Sequence, residues 1–190
     1  MNVAKRAIIK IDAIFSKNLL VANVVTCGTL LGIGDACVQG MNIVISKKKT
    51  KFDFERTGRM IVIGCALGPF NHLWYATLDK FIKGVSGKAV FQKILCDQLV
   101  AGPFFCTTFL YGLSILEGKG TSGATQEWKE KFLEIYFVDW MFWPGAQYVN
   151  FRFVPGKYRV VYVSTATLIW NSFLSYVKHR HIDANEEDFH

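Results

Sequence analysis

Four stretches of this chain contain no Asp, Glu, Lys or Arg at all: 18–34, 60–78, 98–116 and 160–177. Each approaches or exceeds the roughly 17 residues that an α-helix needs to cross the hydrocarbon layer of a bilayer. Inside that layer no water satisfies a free N–H or C=O, so only helices and closed barrels cross it. Uninterrupted runs of this length are too long for barrel strands of about ten residues. Charged residues make up 19% of the chain, below the roughly 25% of soluble domains. The expected fold is therefore all-α, a multi-span transmembrane helical bundle of about four spans.

A length of 190 residues is that of about one domain, and no low-complexity linker divides the chain. The expected organisation is a basic amphipathic segment at 1–18, one transmembrane domain at 19–178 and a polar, acidic tail at 179–190. In the first segment Val3, Ala7, Ile11, Ile14 and Phe15 share a helical face, and Lys5, Arg6, Lys10 and Lys17 lie mostly away from it. That pattern fits an uncleaved mitochondrial targeting signal, and equally a helix lying on anionic lipid. Net charge is +7, and a basic body suits anionic lipid or RNA. Charged stretches at 47–59, 80–88 and 117–131 read as solvated connections.

A fifth apolar segment is atypical. In VDWMFWPGAQYVNFRFVPGKYRVVYV (138–163) the uncharged part, 140–151, has only 12 residues. Its length predicts a short interfacial or re-entrant helix, or one buried among others. Pro144 and Pro155 mark expected helix boundaries. Trp140, Trp143 and Tyr148 are the amphipathic rings that settle at a headgroup boundary, with Arg152, Lys157 and Arg159 within reach of phosphates.

Inside the spans, Gly28-x-x-x-Gly32 and Gly64-x-x-x-Gly68 place glycines one turn apart, the pattern that lets helix backbones approach closely in lipid. Pro69 and Pro103 fall within two of the runs and are expected to bend them. A polar set stands in apolar surroundings: Asp35, Gln39, Asn71, His72, Asp97, Gln98, Asp139, Gln147, Asn150 and Arg152. An intramembrane charge costs at least about 2.5–3.5 kcal/mol against lipid, so these groups should turn inward. Two readings stay open: the acids pair with Arg152 and Arg159 near span ends, or they line a solute pathway.

The chemistry of an enzyme is not expected. Three of the four histidines, His179, His181 and His190, fall near the C-terminus, and His72 sits beside no nucleophile. There is no nucleophile elbow, no H-E-x-x-H and no phosphate-cradling glycine loop. Cys27, Cys37, Cys65, Cys96 and Cys106 lack C-x-x-C spacing and read as reduced packing residues. No cofactor, metal or DNA is called for.

Several segments in order, GPFNHLWYATLDKF (68–81), DQLVAGP (97–103), WKEKF (128–132), DWMFWPGAQYVNFRFVPGKYRV (139–160) and WNSFLSY (170–176), resemble the Mpv17/PMP22 family of mitochondrial and peroxisomal membrane proteins. The likeness runs from Asp35 to Lys178, and GPFNHLWY, LVAGP, LEGK and LSYVKHR resemble its Mpv17-like protein two branch most. The resemblance implies a multi-pass protein of the mitochondrial inner membrane, with the peroxisomal membrane as the alternative. It implies either support of mitochondrial ribosome assembly, in contact with ribosomal subunits, or a non-selective or weakly selective pore for small solutes, in a monomer or homo-oligomer. Lys47, Lys48, Lys49 and Lys51 form the candidate contact surface for ribosomal RNA or for anionic headgroups. Lys and Arg fall on both flanks of the spans, so the positive-inside rule sets no orientation.

Overall fold

A computed structural model of the chain describes residues 18–45 and 51–171. The expected basic N-terminal helix, the lysines Lys47, Lys48 and Lys49 and the acidic tail lie outside the described residues. Five helices follow one another: α1 (Leu19–Ile45), α2 (Phe54–Phe81), α3 (Gly87–Leu116), α4 (Gly120–Phe153) and α5 (159–171). Among the described residues there is no strand. By length and composition α1 and α3 are apolar enough to cross a membrane.

Local chemistry sets the ends. Asp53 caps α2 by accepting from the Arg56 N–H at 2.9 Å, and Ser86 caps α3 by accepting from the Ala89 N–H at 3.3 Å. Gly118 and Gly120, at φ +77° and +66°, supply the left-handed backbone that turns α3 into α4. Val154 is extended ahead of Pro155, and α4 stops there.

Three expectations need correction. The supposed connection at 117–131 is mostly helix, because α4 begins at Gly120 and its first turns are joined by ion pairs. The atypical 140–151 segment is the second half of that same 34-residue helix, not a separate short one. Pro144 consequently marks no boundary: one lost N–H bond does not end a helix whose other turns are packed.

The two other prolines are handled differently. Pro69 lies inside a continuous α2. Ahead of Pro103 the chain widens into a π-helical turn, Asp97–Ala101, closed by the Gly102 N–H donating to the Asp97 carbonyl. A proline ring clashes with the carbonyl four residues earlier in a regular helix, and the extra residue relieves that contact. The turn sends Asp97, Gln98 and Ala101 inward while Leu99 and Val100 stay 60% and 56% exposed.

Packing follows the glycines. A Cβ on Gly64 would lie 2.7 Å from the Cys27 carbonyl oxygen and 2.8 Å from Gly28 Cα, and one on Gly68 would lie 2.7 Å from Val24 Cα. Gly28 and Gly32 in turn face Cys65 and Ile61. Both glycine pairs therefore sit in the α1–α2 crossing. Polarity is inverted relative to a water-soluble domain: Asn23, Asp97, Gln98, Gln147 and Asn150 are buried, whereas Leu133, Phe137 and Met141 on α4 are more than 70% exposed. A surface this apolar around a polar interior is what lipid solvation favours.

Candidate functional site: a cavity at the bundle centre

All five helices contribute to a central cavity of about 180 Å³. Cys27 comes from α1, Asn71 and Tyr75 from α2, Asp97, Gln98 and Cys106 from α3, Asp139, Trp143 and Gln147 from α4, and Ser164, Thr167 and Asn171 from α5. The π turn aims the two α3 groups, since Asp97 opens it and Gln98 follows.

Several hydrogen-bonded groups form and back the wall. Trp74 Nε1 donates to Asp97 Oδ1 at 2.8 Å, and Gln147 Nε2 donates to Asp97 Oδ2 at 2.7 Å and to the Tyr75 hydroxyl at 2.9 Å. Asn150 Nδ2 donates to Gln147 Oε1 at 2.8 Å. Gln98 Nε2 approaches Asp139 Oδ2 at 3.5 Å, while its backbone carbonyl accepts from the Tyr136 hydroxyl at 2.9 Å. Cys27 and Ser164 meet at 3.2 Å, and Asn23 meets His72 at 3.0 Å. The Asn171 amide, on the cavity wall, has its buried Nδ2 without a partner among the described residues. Among those residues, Asp97 and Asp139 meet amides and an indole rather than Lys or Arg.

The remaining predicted polar residues lie elsewhere. Asp35 and Gln39 form a clasp between the end of α1 and the start of α2: Arg56 Nε pairs with Asp35 Oδ1 at 2.8 Å, and Gln39 Nε2 and the Thr57 hydroxyl donate to Oδ2 at 2.8 and 2.7 Å. Gln39 also accepts from the Asp53 N–H at 2.7 Å. For Asp35 the reading of a pair with a basic residue near a span end is met by Arg56 rather than Arg152 or Arg159, because the start of α2 lies alongside the end of α1. Arg152 is exposed and donates to the Val85 carbonyl at 3.1 Å, so it is not part of the interior. Trp143 departs from the interfacial reading: it lines the cavity and meets Trp170 at a tilt, ring centroids 6.4 Å apart. Trp140 and Tyr148 lie on the outer face, 38% and 48% exposed. Cys37 is exposed rather than packed, and Lys51 is exposed beside α2.

Sequence reading missed a cluster where α2, α3 and α5 meet. Asp79 Oδ1 accepts from Lys93 Nζ at 2.7 Å and from Arg159 Nη1. Both cations are buried and lie over the Phe151 ring, 5.8 and 5.3 Å from its centroid. A signal was present: Lys93 is the one charged residue in the mostly apolar 89–96 stretch. On the opposite flank, hydrogen bonds from Lys119, Lys131 and Ser114 hold the Glu127 carboxyl down at about 2.

Such a chain is an all-helical membrane bundle with buried acids and amides in its interior. The family model described as the Mpv17 / PMP22 family matches residues 114–175. The chain is 36% identical over 158 residues to "PXMP2/4 family protein 4" of Dictyostelium discoideum, covering 83% of this chain and 85% of that protein. It is 35% identical to "Protein sym1" of Aspergillus oryzae, over 87% and 94% of the two chains. It is 32% identical to "Mitochondrial inner membrane protein Mpv17" of Homo sapiens, over 83% and 89%. No solved structure matches it. The chain belongs to the Mpv17/PMP22 family. It is a mitochondrial inner-membrane protein, the location that its relatives from Homo sapiens, Xenopus laevis and Caenorhabditis briggsae carry in their names.

Proposed function

We propose that the chain crosses the inner membrane through α1, α2, α3, the aromatic half of α4 and α5, and that its central cavity is a pathway for small solutes. The observation that carries this reading is the convergence of Asp97, Gln98, Asp139, Gln147, Ser164 and Asn171 from three helices on one cavity of about 180 Å³. A cavity of that size has room for several waters beside its polar groups, and intramembrane carboxylates turned inward rather than toward lipid mark ion or solute paths. No chemistry is performed on the solute: the chain acts as a conduit, not an enzyme.

Lateral support comes from α4, whose exposed Leu133, Phe137 and Met141 recur at helical spacing and give that helix a lipid-facing stripe. The test is flux through liposomes holding the purified full chain. Permeation of a small neutral polyol and a small cation should exceed that of empty liposomes, and Asp97→Asn or Asp139→Asn should change it at least several-fold. Tight liposomes containing folded protein would reject the pathway. The ribosome-assembly reading runs instead through Lys47, Lys48, Lys49 and Lys51. Co-sedimentation with mitochondrial ribosomal subunits that is lost on neutralising these lysines, with no flux, would favour it.

A further inference from the structure

The flank carrying the turns at 82–86 and 154–158 differs in charge from the rest of the bundle. Within 79–93 and 152–159 seven Lys or Arg residues stand against a single acid, Asp79. That acid is already shared by the buried Lys93 and Arg159. An excess of positive charge therefore reaches the surface here, and Lys83 and Lys88 are exposed on it.

Those two lysines line an open groove of about 560 Å³ between the Phe81–Ser86 turn and the first turns of α3, together with Ser86, Gln92, Phe81, Ile82 and Leu95. Lys83, Ser86 and Lys88 belong to its turn end, with Phe81 and Ile82 beside them, and Leu95 and Cys96 to an inner, apolar end. From Lys88 to Leu95 the helix rises about 10 Å, so that inner end lies well below Lys88, toward the hydrocarbon layer. The turn is also held in place: Lys93 Nζ donates to the Gly84 carbonyl at 3.3 Å and Arg152 to the next carbonyl, Val85, at 3.1 Å.

We propose that this groove binds one anionic phospholipid, with the phosphate between Lys83, Lys88 and Ser86 and an acyl chain along Phe81, Ile82 and Leu95. The charge of the flank complements the phosphate, and the apolar wall matches a chain that a free phosphate lacks. Basic pockets at the ends of membrane helices take anionic headgroups by this combination. Lys93 and Arg159 contribute from beneath as fixed positive charge, shielded from solvent and so less screened by salt than surface lysines.

The probe is phosphatidylglycerol against phosphatidylcholine, counted on the detergent-purified full chain by native mass spectrometry. The wild type should retain one phosphatidylglycerol in preference to phosphatidylcholine. The double variant Lys83→Gln/Lys88→Gln should lose that preference by about 30-fold, from the contribution of each basic residue near a membrane surface. Lys129→Gln/Lys131→Gln, on the opposite flank, should leave it unchanged. Leu95→Trp, which fills the apolar end, should lower retention of both lipids. Equal loss in the two double variants would show diffuse charge attraction and overturn the site. Displacement of the lipid by millimolar inorganic phosphate, with Leu95→Trp silent, would overturn it in favour of a free-anion site. Circular dichroism of each variant confirms that lost retention is not lost folding.

Discussion

Replacing Gly64 by alanine tests the α1–α2 crossing directly. The added Cβ would lie 2.7 Å from the Cys27 carbonyl oxygen and 2.8 Å from Gly28 Cα, where ordinary contact begins at 3.4 Å. Both obstacles are backbone, so no side-chain rotation relieves them, and the helices must separate locally by about 0.7 Å, a strain in the overpacking class. Overpacking costs about 1–3 kcal/mol, and a rigid two-backbone contact belongs at the upper end. Against it stands about 1 kcal/mol gained from exchanging helical glycine for alanine. The net loss is about 2 kcal/mol, or a fall in Tm of about 4–8 °C for a chain of this size. Gly40→Ala is the internal control, since its Cβ would meet nothing within 4 Å, and it should leave Tm level or slightly raised. Gly28→Ala meets the Cys65 sulfur first, so its loss should be partly restored by adding Cys65→Ala. Thermal unfolding of the detergent-purified proteins, followed by circular dichroism, reads all four. A Gly64→Ala protein as stable as Gly40→Ala would refute the close crossing.

Asp79→Asn should lower stability by about 2–3 kcal/mol in the same assay. It strands two buried cations, and the figure is kept below the usual 3–5 kcal/mol for a broken buried pair because the Asp79 side chain is 38% exposed. Glu127 has a folded pKa of about 2, below its unfolded value of 4.5. Its contribution is therefore full above pH 4.5 and fades as pH falls toward 2. Glu127→Gln should flatten the acid limb of a Tm-against-pH curve in that window, and an unchanged limb would remove Glu127 as its cause. Alkaline carbonate extraction of mitochondria should leave the chain in the membrane pellet, and its release to the supernatant would contradict membrane integration.

The helical class was legible because runs free of charge leave the backbone few ways to satisfy itself in lipid. The inward turn of Asp97, Gln98, Asp139 and Gln147 followed from the cost of charge and amide in hydrocarbon, and these four do meet around one cavity. Partners were not legible. Asp35 finds Arg56, and Arg159 finds Asp79, because antiparallel packing decides which helix ends become neighbours. The length of α4 was hidden for a related reason. Charges at 127–131 look like a loop in sequence, yet Lys119, Glu127 and Lys131 pair along and beside one helix. Trp143 was misplaced because an aromatic ring suits both an interface and a cavity wall, and only the helix rotation distinguishes them.

The π turn at Asp97–Ala101 has a consequence for the rotational phase of α3. One residue beyond the regular repeat offsets the two halves of the helix by about 100°. With that offset Lys93 above the turn and Leu110 and Ser114 below it are all buried in the same bundle. Winding that turn down to a regular α-helix at unchanged length would rotate one half by this amount against the other. Whichever half kept its seat, the other would swing buried groups toward lipid: Lys93 on one side, or Ser114 and Leu110 on the other. Deleting one residue from the turn would cancel that rotation, so a wide turn and a shorter chain hold the same relation between Lys93 and Leu110, and the surplus residue is spent on aiming Asp97 and Gln98 at the cavity.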